Sequence, residues 1–150
     1  MAQAKTVRGT KLLIKIGDGA TPEVFEHNCT INGARSFQLS SQTNDFVVPD
    51  CDDPDLLAWI EREKVSVGGT INGAGILNSE DLPFFEEYAR SADPKNCMVT
   101  VDVPGTDGGG HWDGAFLLTD FQINGDRGSK IEVTLTMQST GVLTWTLNTP

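Results

Sequence analysis

Apolar and polar residues alternate most clearly in the last third of the chain. Ile131, Val133, Leu135 and Met137 are apolar, and Lys130, Glu132, Thr134, Thr136 and Gln138 between them are polar. Period-two alternation of this length predicts a strand with one buried face and one wet face. The stretch before it repeats the pattern more loosely. Leu117, Phe121 and Ile123 fall on one side, and Asp120, Gln122 and Asn124 on the other. N-G-D-R-G between them suits a turn, so residues 115–139 predict one long antiparallel hairpin.

The same pattern recurs upstream. Lys11–Ile16 predicts a short first strand closed by G-D-G-A-T-P, and Glu23–Ile31 a second. Asn32-Gly33 is a hairpin signal. In Arg35–Gln42, Phe37 and Leu39 oppose Ser36, Gln38, Ser40 and Gln42. Lys64–Ile71 and Cys97–Val103 read as further strands, and Val142–Thr146 as a short final one. Residues 79–91 switch to a helical period, with Leu82, Phe85 and Ala89 as the apolar stripe and Ser79 as the cap.

Two features depart from a plain β domain. The wet faces carry Ser, Thr and Gln with a slight acidic excess, where a solvated sheet would carry Lys and Glu. Residues 41–63 then break the alternation and predict a long loop. Seven acids and one Arg give this stretch a net −6 of the chain's −10. Phe46, Val47, Val48, Leu56, Leu57, Trp59 and Ile60 add apolar surface, and Asp53-Pro54 predicts a short helical turn leading to Ile60. Two readings stay open: a loop folded on its own core, or a docking loop for another subunit.

At 150 residues, with 16 Gly, the chain reads as a single mainly β domain, burying roughly two-thirds of its unfolded surface. Residues 1–10 form a polar arm and 147–150 a polar tail, both expected to order only against neighbouring subunits. Three widely spaced cysteines point to a reduced, intracellular setting, in which the sequon Asn28-Cys29-Thr30 stays idle. No apolar run reaches the ~20 residues of a membrane span. Net charge −10 argues against DNA binding by phosphate neutralisation, though not against working beside DNA.

Catalytic and metal readings fail one by one. Asp50, Asp52 and Glu61 sit at EF-hand positions, but Pro54 and Asp55 occupy places the loop cannot spare. His27 and His111 lie in no metal or triad spacing. D-G-G-G-H lacks the Lys and the helix of a phosphate loop. No enzyme activity and no cofactor are expected.

The order of elements resembles the major tail tube proteins of long-tailed bacteriophages, and among them the tail tube proteins of phage-like gene transfer agents. R-S-F-Q-L-S-S, S-E-D-L-P-F-F-E-E-Y-A-R before C-M-V-T-V-D-V, and F-Q-I-N-G-D-R-G-S-K-I-E-V-T-L-T-M-Q-S-T-G carry the likeness, which spans nearly the whole chain. The resemblance implies an antiparallel β-sandwich or partial barrel with one flanking helix. It implies hexameric rings that stack into a hollow tube around a tape measure protein and later conduct DNA without binding it. Tail terminator and baseplate or distal tail proteins are the further partners implied. Assembly would take place in the cytoplasm and the product would be a virion tail.

With four strands per subunit lining the channel, alternation assigns Ser36, Gln38, Ser40, Ser66, Thr70, Asp120, Gln122, Glu132, Thr134, Thr136 and Gln138 to the lumen. Phe37, Leu39, Val65, Val67, Leu117, Phe121, Ile131, Val133 and Leu135 go to the core. Asp45, Phe46, Val47, Val48, Asp50, Asp52, Asp53, Asp55, Leu56, Leu57 and Trp59 form the expected inter-subunit loop. Two alternatives are a contractile secretion-system inner tube and a monomeric carbohydrate-binding β-sandwich. In the latter Trp59, Trp112 and Trp145 would stack on sugars rather than anchor a core or interface.

Overall fold

The computed structural model describes residues 2–19 and 22–150. Met1 of the arm and Ala20-Thr21 of the first expected turn lie outside it. Among the described residues seven strands form one antiparallel sheet: β1 (Leu12–Gly17), β2 (Phe25–His27), β3 (Arg35–Val47), β4 (Ile60–Ile76), β5 (Lys95–Val101), β6 (Gly110–Asn124) and β7 (Glu132–Leu147). One α-helix, α1 (Leu82–Arg90), sits between β4 and β5. The spatial order is β2-β1-β5-β6-β7-β4-β3, with β2 and β3 as free edges. The mainly β class with a single flanking helix is as the sequence leads one to expect.

The sheet coils into an open partial barrel. Phe37 on β3 lies 4.9 Å, ring to ring, from Trp112 on β6, although β4 and β7 separate those strands. The concave side holds the core. Ile14, Ile16, Ile71, Cys97, Val99, Phe116, Leu118, Val133, Leu135 and Met137 are buried there together with Ile31. Helix α1 closes this side through Phe85 and Tyr88. Phe85 stacks on Phe121 at 5.6 Å, and the Tyr88 hydroxyl donates to the Phe116 carbonyl. Burying a phenol without a partner would be costly, so this bond fixes the helix on β6.

Several local expectations change. The helix buries Phe85 and Tyr88 and leaves Ala89 exposed, because 3.6 residues per turn carries Ala89 past the contact line. Ser79 lies in a preceding 3₁₀ turn and caps nothing; Asp81 holds the cap position, and its carboxylate accepts instead from Thr30 and Asn78. The second strand shrinks to β2. Asn32-Gly33 makes no two-residue hairpin. The Asn32 amide pairs like a short strand with the backbone of Ile76, its Nδ2 donating to the Ile76 carbonyl and its Oδ1 accepting from the Ile76 N–H. Ile31 then lies over Gly73 of β4, where an added Cβ would come within 2.9 Å of it.

The expected final strand 142–146 is the continuation of β7, bent at Gly141, whose φ is +88°. The polar tail is held by its own domain. Asn148 donates from Nδ2 to the carbonyls of Val101 and Val103, and from its backbone to Gly109. A terminal amide that satisfies carbonyls at and just beyond the end of β5 needs no neighbouring subunit to be ordered. In the arm, Lys5 pairs with Asp107 at 2.8 Å.

Candidate functional site

The register of β3, β4, β7 and β6 builds one polar face. Antiparallel partners point to the same side of a sheet. Ser36, Asn72, Thr136 and Asp120 therefore form one rung, and Gln38, Thr70, Gln138 and Leu117 the next. Ala74, Thr134 and Gln122 form a third, and Ile76, Glu132 and Asn124 a fourth. Ser40 and Ser66 continue the same side. The structure thus brings all eleven residues assigned to the lumen onto the face opposite the core. None of the residues in these rungs is Lys or Arg. Asp120 and Glu132 are exposed, and the groups paired with them across the ladder are neutral. Some of those groups bond each other, as Thr136 Oγ1 does in donating to Asn72 Oδ1 at 2.9 Å.

The core assignments fare less evenly. Val133 and Leu135 are buried, and Phe37 and Phe121 half-buried. Leu117 is a correction. The ladder shifts between Leu118 and Asp120, so Phe116 and Leu118 face inward above the bulge and Phe121 below it. Leu117 therefore pairs with Gln138 on the polar face. Ile131 precedes β7 and is exposed; its carbonyl accepts from Leu77 N–H. Leu39, Val65 and Val67 are exposed because of what happens to β3 and β4.

Those two strands outrun the sheet. β4 pairs with β7 only from Thr70 to Ile76, while β3 and β4 stay paired out to Val47 and Ile60. The last link to β7 is the Gly69 N–H donating to Ser139 Oγ at 2.8 Å. Beyond it a two-stranded arm projects with no layer over either face, and every residue from Ser41 to Leu57 is exposed. This corrects the expected loop. Residues 41–47 and 60–63 are strand, and only 48–59 connect them. Asp45, Phe46 and Val47 accordingly lie on β3, and Asp45 pairs with Arg62 of β4 at 3.2 Å.

The connection 48–59 carries the rest of the expected loop residues. No helix follows Pro54. Asp50 Oδ1 accepts from the N–H groups of Asp52 and Asp53, and Asp53 Oδ1 from that of Asp55. These turns spend the carboxylates on backbone and leave the segment irregular. Among the described residues no group of three or more His, Cys, Asp or Glu side chains is arranged to hold a metal ion. The tip is apolar and uncovered: Leu57 is 94% and Trp59 91% exposed, with Val48 and Leu56 beside them. An isolated two-stranded ribbon is marginal in water, and a bare apolar tip of this size marks a contact surface.

At the fork, where the arm leaves β7, Leu39 and Val67 face Trp112, Val142, Leu143 and Trp145 across an apolar cleft of about 370 Å³. Trp112 and Trp145 pack on one wall with ring centroids 4.5 Å apart and planes tilted by 48°. Sequence reasoning singled out both Trp residues but gave no sign of the cleft, which exists only because two ribbons diverge.

The sequence profile of the phage tail tube protein family matches residues 6–145, almost the entire chain. The chain belongs to the phage tail tube protein family. Known structures carry the same fold as this tail tube chain. A chain of the native gene transfer agent virion superposes with a TM-score of 0.73 at 21% identity, over 94% of this chain and 99% of that one. A chain from the tail of an empty gene transfer agent particle with C6 symmetry gives 0.67 at 22% identity, over 94% and 99%. The tail tube of SPP1 gives 0.63 at 11% identity, over 97% and 81%. No curated protein sequence matches the tail tube chain.

Proposed function

We propose that six copies of this chain form a ring, that rings stack into a tail tube, and that the polar face of β3, β4, β7 and β6 lines its lumen. The observation that carries this reading is the register. Eleven polar positions on four adjacent strands share one face, opposite the core, with two acids and no base. Such a lining stays wet, and fixed carboxylates around a narrow pore act together on a passing polyanion. Phosphates are held off by like charge, so DNA moves through without being captured. The C6 tail of the gene transfer agent particle supplies the symmetry for the ring.

The projecting arm is the inter-subunit element of this assembly. Its apolar tip needs a cover that its own domain does not provide. The free edges β2 and β3 likewise gain partners when copies close a ring. A tape measure protein in the lumen, with terminator and distal tail proteins at the two ends, completes the particle after assembly in the cytoplasm.

Cysteines introduced at Ser36, Gln122 and Thr134, in a Cys29→Ser, Cys51→Ser background, test the lining. In assembled tubes a small maleimide that enters the bore should label them and a bulky dextran-linked one should not, while both label the monomer. Equal labelling of the tube by both reagents places this face outside and overturns the assignment.

A further inference from the structure

We infer that the apolar cleft at the fork of each subunit is the socket for the arm tip, Leu56–Trp59, of a second copy of the same chain. This rests on the reading of the arm as an inter-subunit element and names the surface that receives it. One subunit carries both the knob and the hole. Leu57 and Trp59 protrude from the tip. Leu39, Val67, Trp112, Val142, Leu143 and Trp145 line a cleft of about 370 Å³, and Val142 on its rim is 84% exposed.

The arm cannot fill its own cleft. Leu39 and Val67 at its root form one wall, and β4 runs on from Val67 to Ile60 before the tip begins. At about 3.3 Å per residue the tip stands roughly 20 Å beyond that wall. The strands between are paired throughout, so they do not fold back. An occupant from another molecule is required, and a heterologous contact of this kind repeats from copy to copy.

Charge selects the same occupant. The connection 48–59 holds Asp50, Asp52, Asp53 and Asp55 and no base. The ladder slips by one residue between Gln42 and Thr43, which turns Lys64 to the side of the arm that bears Val67. Lys64 and Val67 line one continuous depression beside the cleft, and among the described residues Lys64 has no ion-pair partner. Apolar side chains of the tip enter the cleft while its carboxylates meet Lys64 at the mouth. None of the cleft's lining residues is charged, so nothing there repels the acids.

The test uses the full chain with Cys29→Ser and Cys51→Ser. Trp59→Cys and Val142→Cys together should give a ladder of disulfide-linked multimers on oxidation of assembled tubes, and neither variant alone should. Leu57→Asp and Val142→Asp, both at exposed positions, should each stay folded and lose polymerisation. Mixed, they should form a discrete complex and no tube, because one intact tip and one intact cleft remain. Lys64→Glu should raise the critical concentration several-fold, with the difference shrinking as salt is added. If Leu57→Asp blocks assembly while Val142→Asp assembles normally and no ladder forms, the tip docks elsewhere and only the socket is wrong. A ladder that forms from Val7→Cys with Val142→Cys instead gives the cleft to the N-terminal arm and overturns the inference. If Leu57→Asp itself forms normal tubes, the arm is no inter-subunit element and both readings fall.

Discussion

The amide of Gly69 and the hydroxyl of Ser139 meet at 2.8 Å at the point where β4 and β7 part company. Below this bond the chain is a covered sheet with one polar face. Above it β4 belongs to the arm and β7 to the ribbon it makes with β6. The bond satisfies an N–H that the diverging ladder would otherwise leave buried, since Gly69 has almost no exposed surface.

Ser139→Ala should therefore destabilise the subunit by about 1 kcal/mol, the usual worth of one such bond. The loss is read as a shift of the denaturation midpoint in urea at unchanged m-value. Hydrogen exchange should show the Gly69 amide opening faster in this variant. An unchanged midpoint would mean that water replaces the hydroxyl without loss.

Truncating the arm should separate folding from assembly. Replacing residues 48–59 by Asn-Gly, a turn that joins β3 to β4 directly, removes the apolar tip and leaves the core untouched. The variant should remain a folded monomer of near-normal stability and form no tubes by negative-stain microscopy. Tubes of normal length would remove the arm from the assembly.

Reversing the two acids proposed to face the lumen should change passage without changing form. Asp120→Lys with Glu132→Lys turns the only charges of the polar rungs from acid to base. Tubes should assemble, but double-stranded DNA should now bind their bore with an affinity that falls steeply with salt. Particles carrying them should deliver DNA slowly or not at all. Normal delivery would show that lining charge does not keep the path clear.

The core predicts an alkaline limit. Burial pushes the Cys97 thiol up from 9.0 to about 12, and burial likewise pushes the Tyr88 phenol up. Both groups are neutral when protonated, so above pH 9 the unfolded chain releases protons that the folded chain keeps. Stability is fully present below pH 9 and falls as pH rises toward 12, by about 1.4 kcal/mol per pH unit for each proton so released. Cys97→Ala should lessen the fall of the melting temperature between pH 9 and 10, where the unfolded thiol titrates ahead of the unfolded Tyr88 phenol. Below pH 9 iodoacetamide should modify Cys29 and Cys51, which are exposed, and spare Cys97.

Alternation made the polar face legible because one side of those strands must be buried and the other need not be. Ser36, Gln38 and Thr136 announce their side in the sequence alone. Leu117 does not, since a bulge adds one residue to a ladder and leaves no sign in composition. The arm reads as loop in the sequence for a related reason. S-Q-T-N-D-F-V shows no alternation because nothing covers either face of that ribbon, so no pattern is demanded of it. The cleft was invisible because Leu39, Val67 and Trp145 meet only when two ribbons split.

The arm leaves the sheet from one end only. A stack built on such a subunit has a direction. If each tip seats in a cleft of the next ring, as proposed, the terminal ring at one extremity presents bare apolar tips and the terminal ring at the other presents empty apolar clefts, so the two extremities are chemically different surfaces. One kind of cap cannot close both. Growth by addition at the tips and growth by addition at the clefts are different reactions with different rates, and whatever starts the tube and whatever stops it must each recognise its own end.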